Sequence, residues 1–214
     1  ALEGYRHCLD VIGSDEQTIS FDAKSFNSHK QFTADPARAF YVKDVCLEVY
    51  GKTINPNVEI ADCQGADSTD PAVLEKIFSY LETANLIVYC ISSRTGLRQS
   101  DMVFLKRIKR LGLIENILFI FNCDLSEHDN LKNLEMTRDK TIAELELLVP
   151  DVRMFSFSAL YTLFDALGNL SSRNKKRLGL WQEDGEMTAF CTKEYTRFLD
   201  RFNQLFEASW FNLF

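Results

Sequence analysis

Between Pro71 and Phe157 the chain switches regularly between two hydrophobic periods. Over Pro71–Ala84 the apolar residues Val73, Leu74, Ile77, Phe78 and Leu81 recur at the spacing of one helix face. Leu86–Ile91 is a continuous apolar run, too short for a helix, and reads as a strand buried on both faces. The helical period returns over Ser100–Leu111 with Met102, Phe104, Leu105 and Ile108, with Ser100 the expected N-cap and Gly112 the stop. Ile117–Phe121 is the next strand, Leu131–Val149 a long helix ended near Pro150, and Val152–Phe157 a further strand. Apolar strands separated by helices predict a parallel sheet covered on both faces. The expected class is α/β, with a doubly wound, mostly parallel sheet.

Upstream the periods are shorter. Ala1–Ile12 and Asp22–Gln31 read as helices around a short strand Thr18–Phe21, and Pro36 opens a helical turn through Phe40. Two strands, Val42–Tyr50 and Val58–Asp62, are expected next, joined by a turn at Gly51–Asn57. After Leu160 the pattern is helical only. Ser171–Arg177 reads as a polar, basic connection, and Thr188–Phe211 carries an apolar stripe of Phe198, Leu199, Phe202, Leu205, Phe206 and Trp210. The expected organisation is a helical or irregular segment over 1–41, an α/β core over 42–170 and a C-terminal helical segment over 171–214 packed on the core.

Composition narrows the function classes. The chain has 214 residues, 46% of them apolar, enough for one full core. A net charge of −7 argues against nucleic-acid binding by bulk electrostatics. No apolar run approaches the roughly 20 residues needed to span a bilayer, and no signal peptide is visible. The six cysteines lack paired zinc spacing and read as buried free thiols of a reducing, cytoplasmic setting. His7, His29 and His128 stand without partners at metal or catalytic spacing, and Ser158 lacks the context of a hydrolase nucleophile.

In an open parallel sheet, ligand groups collect at the carboxyl ends of strands. Three such ends carry suitable chemistry here. The run Val58-Glu-Ile-Ala-Asp62-Cys-Gln-Gly65 places a carboxylate able to hold Mg²⁺ through water, then a glycine able to offer its N–H to a terminal phosphate oxygen. Phe121-Asn122-Cys123-Asp124 follows the second strand of the alternating region, and Phe157-Ser158-Ala159 follows the last.

This trio resembles the GTP-binding domain of translation-factor-class and dynamin-like GTPases, over about residues 42–165. The resemblance implies a P-loop GTPase fold that binds and hydrolyses GTP with Mg²⁺. It implies that Asp62 orients the metal and Gly65 contacts the γ-phosphate. Asn122 and Asp124 would bind the base, and the Ser158-Ala159 loop would donate a backbone N–H to the guanine carbonyl. Ala66, where Ras-like proteins carry a water-positioning glutamine, and Thr83–Leu97 look dynamin-like. That branch implies a homodimer through the nucleotide face, peripheral membrane association through parts outside this chain, and a C-terminal helix able to begin a neck.

Two departures stand beside the resemblance. The base motif has Phe121 and Asn122 where the family has Asn or Thr followed by Lys; shifted by one residue, Asn122 regains its role and Cys123 replaces the Lys. The phosphate loop Gly-x-x-x-x-Gly-Lys-Ser/Thr is absent from the sequence. Gly51-Lys52-Thr53 lacks the first glycine, at Cys46, and a following helix, broken by Pro56. The expectations are a P-loop upstream of Ala1 or, alternatively, a non-catalytic pseudo-GTPase that serves as an interaction module. The switch threonine has one nearby candidate, Thr33, which reads better as an exposed helix cap.

Overall fold

A computed structural model describes residues 18–22, 24–39, 59–63, 71–167 and 169–211, with a few isolated positions before residue 47. The chain divides into two compact units, Ala1–Ile60 and Ala61–Phe214. In the first, a 3-10 turn over Phe26–His29 leads into two one-turn helices, α1 (Lys30–Thr33) and α2 (Pro36–Ala39). An Asx-type turn precedes them, in which the Asp22 carboxylate accepts the Ser25 N–H at 2.7 Å and the Lys24 N–H at 3.1 Å. This replaces the single helix expected over Asp22–Gln31: the Asp22 side chain competes for the amides that would open it.

The second unit is built as α3 (Pro71–Thr83), β1 (Ile87–Ser92), α4 (Gln99–Arg110), β2 (Ile117–Asn122), α5 (Leu131–Glu146), β3 (Met154–Phe157), α6 (Ala159–Ala166), α7 (Ser172–Gln182) and α8 (Gly185–Phe211). The three strands form a parallel sheet in the order β1-β2-β3, with Ile87 opposite Ile117 and Phe119 opposite Met154. The chain is therefore α/β, as the alternation predicts.

Side-chain parity shows which helix lies on which face. Tyr89 and Phe119 are register partners, so both project to one face. There Tyr89 meets Phe104 of α4, whose ring lies 4.9 Å from Phe78 of α3. Phe155 and Phe157 project to the opposite face, where they meet Phe198 and Tyr195 of α8 at 5.2 to 5.8 Å. The long C-terminal helix thus packs on β3 through Tyr195 and Phe198, while Leu199 of the expected stripe is exposed. Phe119, Phe121, Leu105, Ile108, Leu134 and Leu145 are essentially solvent-free and fill the centre. Lys109 fastens α4 to the end of α5, its Nζ donating to the Leu148 carbonyl at 2.6 Å.

Several expectations are corrected. Residues 18–22 form no regular structure, nor do 59–63, and Ile60 is 76% exposed. An apolar run becomes a strand only with a neighbour to pair and a face to bury, and Thr18–Phe21 and Val58–Asp62 gain neither at the described positions. Val42, Val45 and Cys46 also carry no strand, while the rest of Val42–Tyr50, the turn Gly51–Asn57 and nearly all of Ala1–Ile12 lie outside the described residues. The N-cap of α4 is Arg98 rather than Ser100: the Asp101 carboxylate accepts the Arg98 N–H at 2.8 Å and opens the helix two residues earlier. The basic run Ser171–Arg177 is no loop but the first turns of α7, capped by Ser171, whose hydroxyl accepts the Asn174 N–H. Lys and Arg are good helix formers, and the buried Trp181 anchors the face. Cys46 and Cys90 are exposed rather than buried; Cys123 and Cys191 are buried as expected. Thr33 is exposed but ends α1, its hydroxyl turned back to the His29 carbonyl at 3.4 Å.

Candidate functional site

The carboxyl ends of β1, β2 and β3 meet at one edge of the sheet, and their loops are cross-linked by hydrogen bonds. Asn122, the last residue of β2, is exposed, and its side-chain oxygen accepts the Ala159 N–H at 3.1 Å. The buried Ser93, just past β1, accepts the Asp124 N–H on its hydroxyl at 2.9 Å. The Cys123 N–H donates to the Phe157 carbonyl at 2.9 Å. Asn122, Asp124, Ser158 and Ala159, far apart in sequence, are therefore neighbours on this edge.

Their individual environments differ. Asp124 is partly exposed; its carboxylate accepts the Ser126 N–H at 3.1 Å and faces the Arg177 guanidinium of α7 at 3.7 Å. Ser158 is 2% exposed and serves as the N-cap of α6, its hydroxyl accepting the Tyr161 N–H at 3.2 Å. The hydroxyl is thereby committed to the fold, while Ala159 remains at the surface. The Ala159 N–H, which the resemblance assigns to a guanine carbonyl, is donated internally to Asn122. Beneath the edge lie the buried thiols of Cys123 and Cys191, and the Cys123 thiol donates to the Phe121 carbonyl at 3.4 Å. The neighbouring Cys191 thiol and burial push the Cys123 thiol far up.

Asp62 is exposed and lies outside any strand. It is close enough to Cys63 and Cys90 that, after desolvation, its negative charge is a further cause raising both thiols. This places the carboxylate near β1. Gly65 and Ala66 lie outside the described residues. Among the described residues no group of three or more His, Cys, Asp or Glu is placed to hold a metal. Among the described residues, no helix is long and apolar enough to cross a membrane.

No family model, no curated protein and no solved structure matches this chain.

The edge also includes residues that the strand-end reading does not reach. Arg177 lies over the Trp181 ring at 4.6 Å, and the Trp181 Nε1 donates to the Ser126 hydroxyl at 3.1 Å. Arg94 pairs with Glu127 at 3.3 Å across the loops after β1 and β2. The only trace of this in the sequence is the basic run at 173–177 and the Ser92-Ser93 pair at a strand end; neither has a spacing that announces a site.

Proposed function

We propose that this chain is a guanine-nucleotide-binding domain of dynamin-like type, which in the intact protein binds and hydrolyses GTP. The observation that carries the reading is the Asn122–Ala159 hydrogen bond of 3.1 Å. It ties the loop that would read the base to the loop that would flank it, with Asp124 beside them at the carboxyl edge of a parallel sheet. The order β1-β2-β3 supports a P-loop GTPase architecture in which these strands form the base-binding half.

In this reading Asp124 accepts from the base and the Ser158-Ala159 loop lies against its carbonyl edge. The Ala159 N–H must then be shared between Asn122 and the base. Asp62 and Gly65 serve the phosphate end, Asp62 orienting Mg²⁺ through water and the Gly65 N–H meeting the γ-phosphate. Hydrolysis is attack of water on the γ-phosphate, driven by positioning and electrostatics without a covalent intermediate. The partner copy of a homodimer orders the water that Ala66 does not. A cytoplasmic protein that meets membranes through other parts fits the same reading.

The second reading is a pseudo-GTPase interaction module. It is favoured by the Arg177 guanidinium beside Asp124, which sets a cation where a base would bind. Calorimetric titration with a non-hydrolysable GTP analogue and Mg²⁺, with the ATP analogue as control, separates the two. Binding of the GTP analogue alone supports base recognition. Absence of binding by either leaves a truncated GTPase domain or the interaction module, and overturns nucleotide binding by this chain.

A further inference from the structure

At the opposite end of β3 from the strand-end loops, β3 and α8 enclose a cleft of about 470 Å³. Its walls carry three guanidinium groups, from Arg153, Arg197 and Arg201, together with the Asp200 carboxylate, the Gln204 amide and the apolar Met154. Such a gathering needs a cause. Arg197 and Arg201 are four residues apart on one helix, where like charges repel, and Arg153 converges on them from the sheet.

The internal counter-charges account for only part of it. Glu194, itself 6% exposed, binds the Arg197 guanidinium at 2.5 Å and accepts the Ser156 N–H at 3.4 Å. That carboxylate is held to the fold and answers one arginine. Arg153 is exposed and has no ion pair among the described residues. The Nε of Arg201 is buried and has no hydrogen-bond partner among the described residues.

We propose that this cleft is a binding site for a phosphate-bearing anion, with Arg153 and Arg201 as its principal contacts. Planar guanidinium forks match the oxygens of a phosphate, and more than one fork accommodates a doubly charged group. Met154 supplies an apolar wall for the body of the molecule, and Gln204 a neutral polar contact. The same chemistry serves a soluble phosphate compound and a phosphorylated lipid headgroup. The site is independent of the nucleotide reading, because it lies at the other end of the sheet.

The test uses the whole chain and inorganic pyrophosphate as the probe, followed by calorimetry at low salt. Pyrophosphate binds to the wild type, and Arg153→Gln and Arg201→Gln each weaken it about tenfold or more. Arg153 is exposed, so its variant folds even if Arg201→Gln does not. Arg173→Gln, on the basic face of α7, leaves the affinity unchanged. Absence of binding overturns the proposal, as does an affinity insensitive to Arg153→Gln. An equal loss in Arg173→Gln overturns it too, by showing only diffuse attraction. Flotation with neutral phosphatidylcholine vesicles, with and without phosphatidylinositol bisphosphate, distinguishes the sources. Flotation that needs the phosphorylated lipid and is lost in Arg153→Gln assigns a headgroup; pyrophosphate binding without flotation assigns a soluble ligand.

Discussion

The Arg177 guanidinium lies 3.7 Å from an Asp124 carboxylate oxygen, and its side chain rests over the Trp181 ring at 4.6 Å. The pair is partly solvated, with side chains 42% and 27% exposed, so it contributes no more than about 1 kcal/mol to stability. Its consequence for binding is larger than its consequence for folding. On the nucleotide reading, a base must draw the Asp124 carboxylate away from Arg177. Arg177→Gln therefore raises affinity for a guanine nucleotide about fivefold while leaving the urea midpoint within a few tenths molar of wild type. Fluorescence titration with a labelled GDP measures the first, and circular dichroism the second. Unchanged or weaker nucleotide binding in the variant would sink the idea that Arg177 competes for that carboxylate.

Asn122 joins two loops through a single acceptor, so its chemistry is separable from its size. Asn122→Ala leaves the Ala159 N–H without its 3.1 Å partner and costs about 1 kcal/mol. Asn122→Asp keeps an acceptor at the same place and recovers most of that stability. Equilibrium urea denaturation of the two variants decides the matter. Equal destabilisation would mean that the hydrogen bond is not what holds the loops together.

The α/β alternation was legible because the second unit obeys one rule throughout: fully apolar runs such as Ile117–Phe121 become central strands, and 3.6-period runs become their covering helices. The α4 start was displaced because a carboxylate three residues into the helix, Asp101, reaches back to the Arg98 amide and outcompetes the nearer Ser100 cap. α7 was hidden for a different reason. Its first turns are almost entirely polar, and its fold is decided by one residue near its end, the 6% exposed Trp181, which stacks with Phe164. The described residues 59–63 show the converse, since local apolarity by itself did not make a strand there. Of the edge, Asn122, Asp124, Ser158 and Ala159 were legible as strand-end residues. Arg177 and Ser93 were not, because contacts across dozens of residues leave no spacing to read.

Asp101 makes a prediction about acid. Burial raises its carboxyl, but the Arg98 side chain and backbone and the Tyr89 hydroxyl, at 2.9 Å, outweigh burial and hold it below the usual aspartate range. A carboxyl lowered in the folded state stabilises the fold above the unfolded value, near pH 4, and that contribution disappears as pH falls through the folded value. Asp101→Asn removes it at neutral pH, at a cost of about 1–3 kcal/mol. Thermal denaturation of wild type and variant from pH 7 to pH 3 shows the gap between them narrowing below pH 4. A constant gap across that range would show that the charge of Asp101 is not what stabilises the start of α4.

The thiols offer a chemical map of the same region. The thiolate is the species that alkylates, so reactivity follows exposure and falls as the thiol is pushed up. Cys123 and Cys191 are 2% and 0% exposed, and Cys123 is pushed far up by the neighbouring Cys191 thiol and by burial. Native protein treated with iodoacetamide at pH 8 is modified at the exposed Cys46 and Cys90 and more slowly at the half-buried Cys63. Cys123 and Cys191 are modified only after unfolding, as peptide mass spectrometry reports. Cys90 also reports on Asp62, whose negative charge is a secondary cause, after desolvation, of its raised thiol. Asp62→Asn lowers the Cys90 thiol and speeds its alkylation about twofold, without altering the Cys46 rate. If the Cys90 rate stays the same in that variant, Asp62 does not lie near β1, and its assignment to the phosphate end of the edge loses its structural footing.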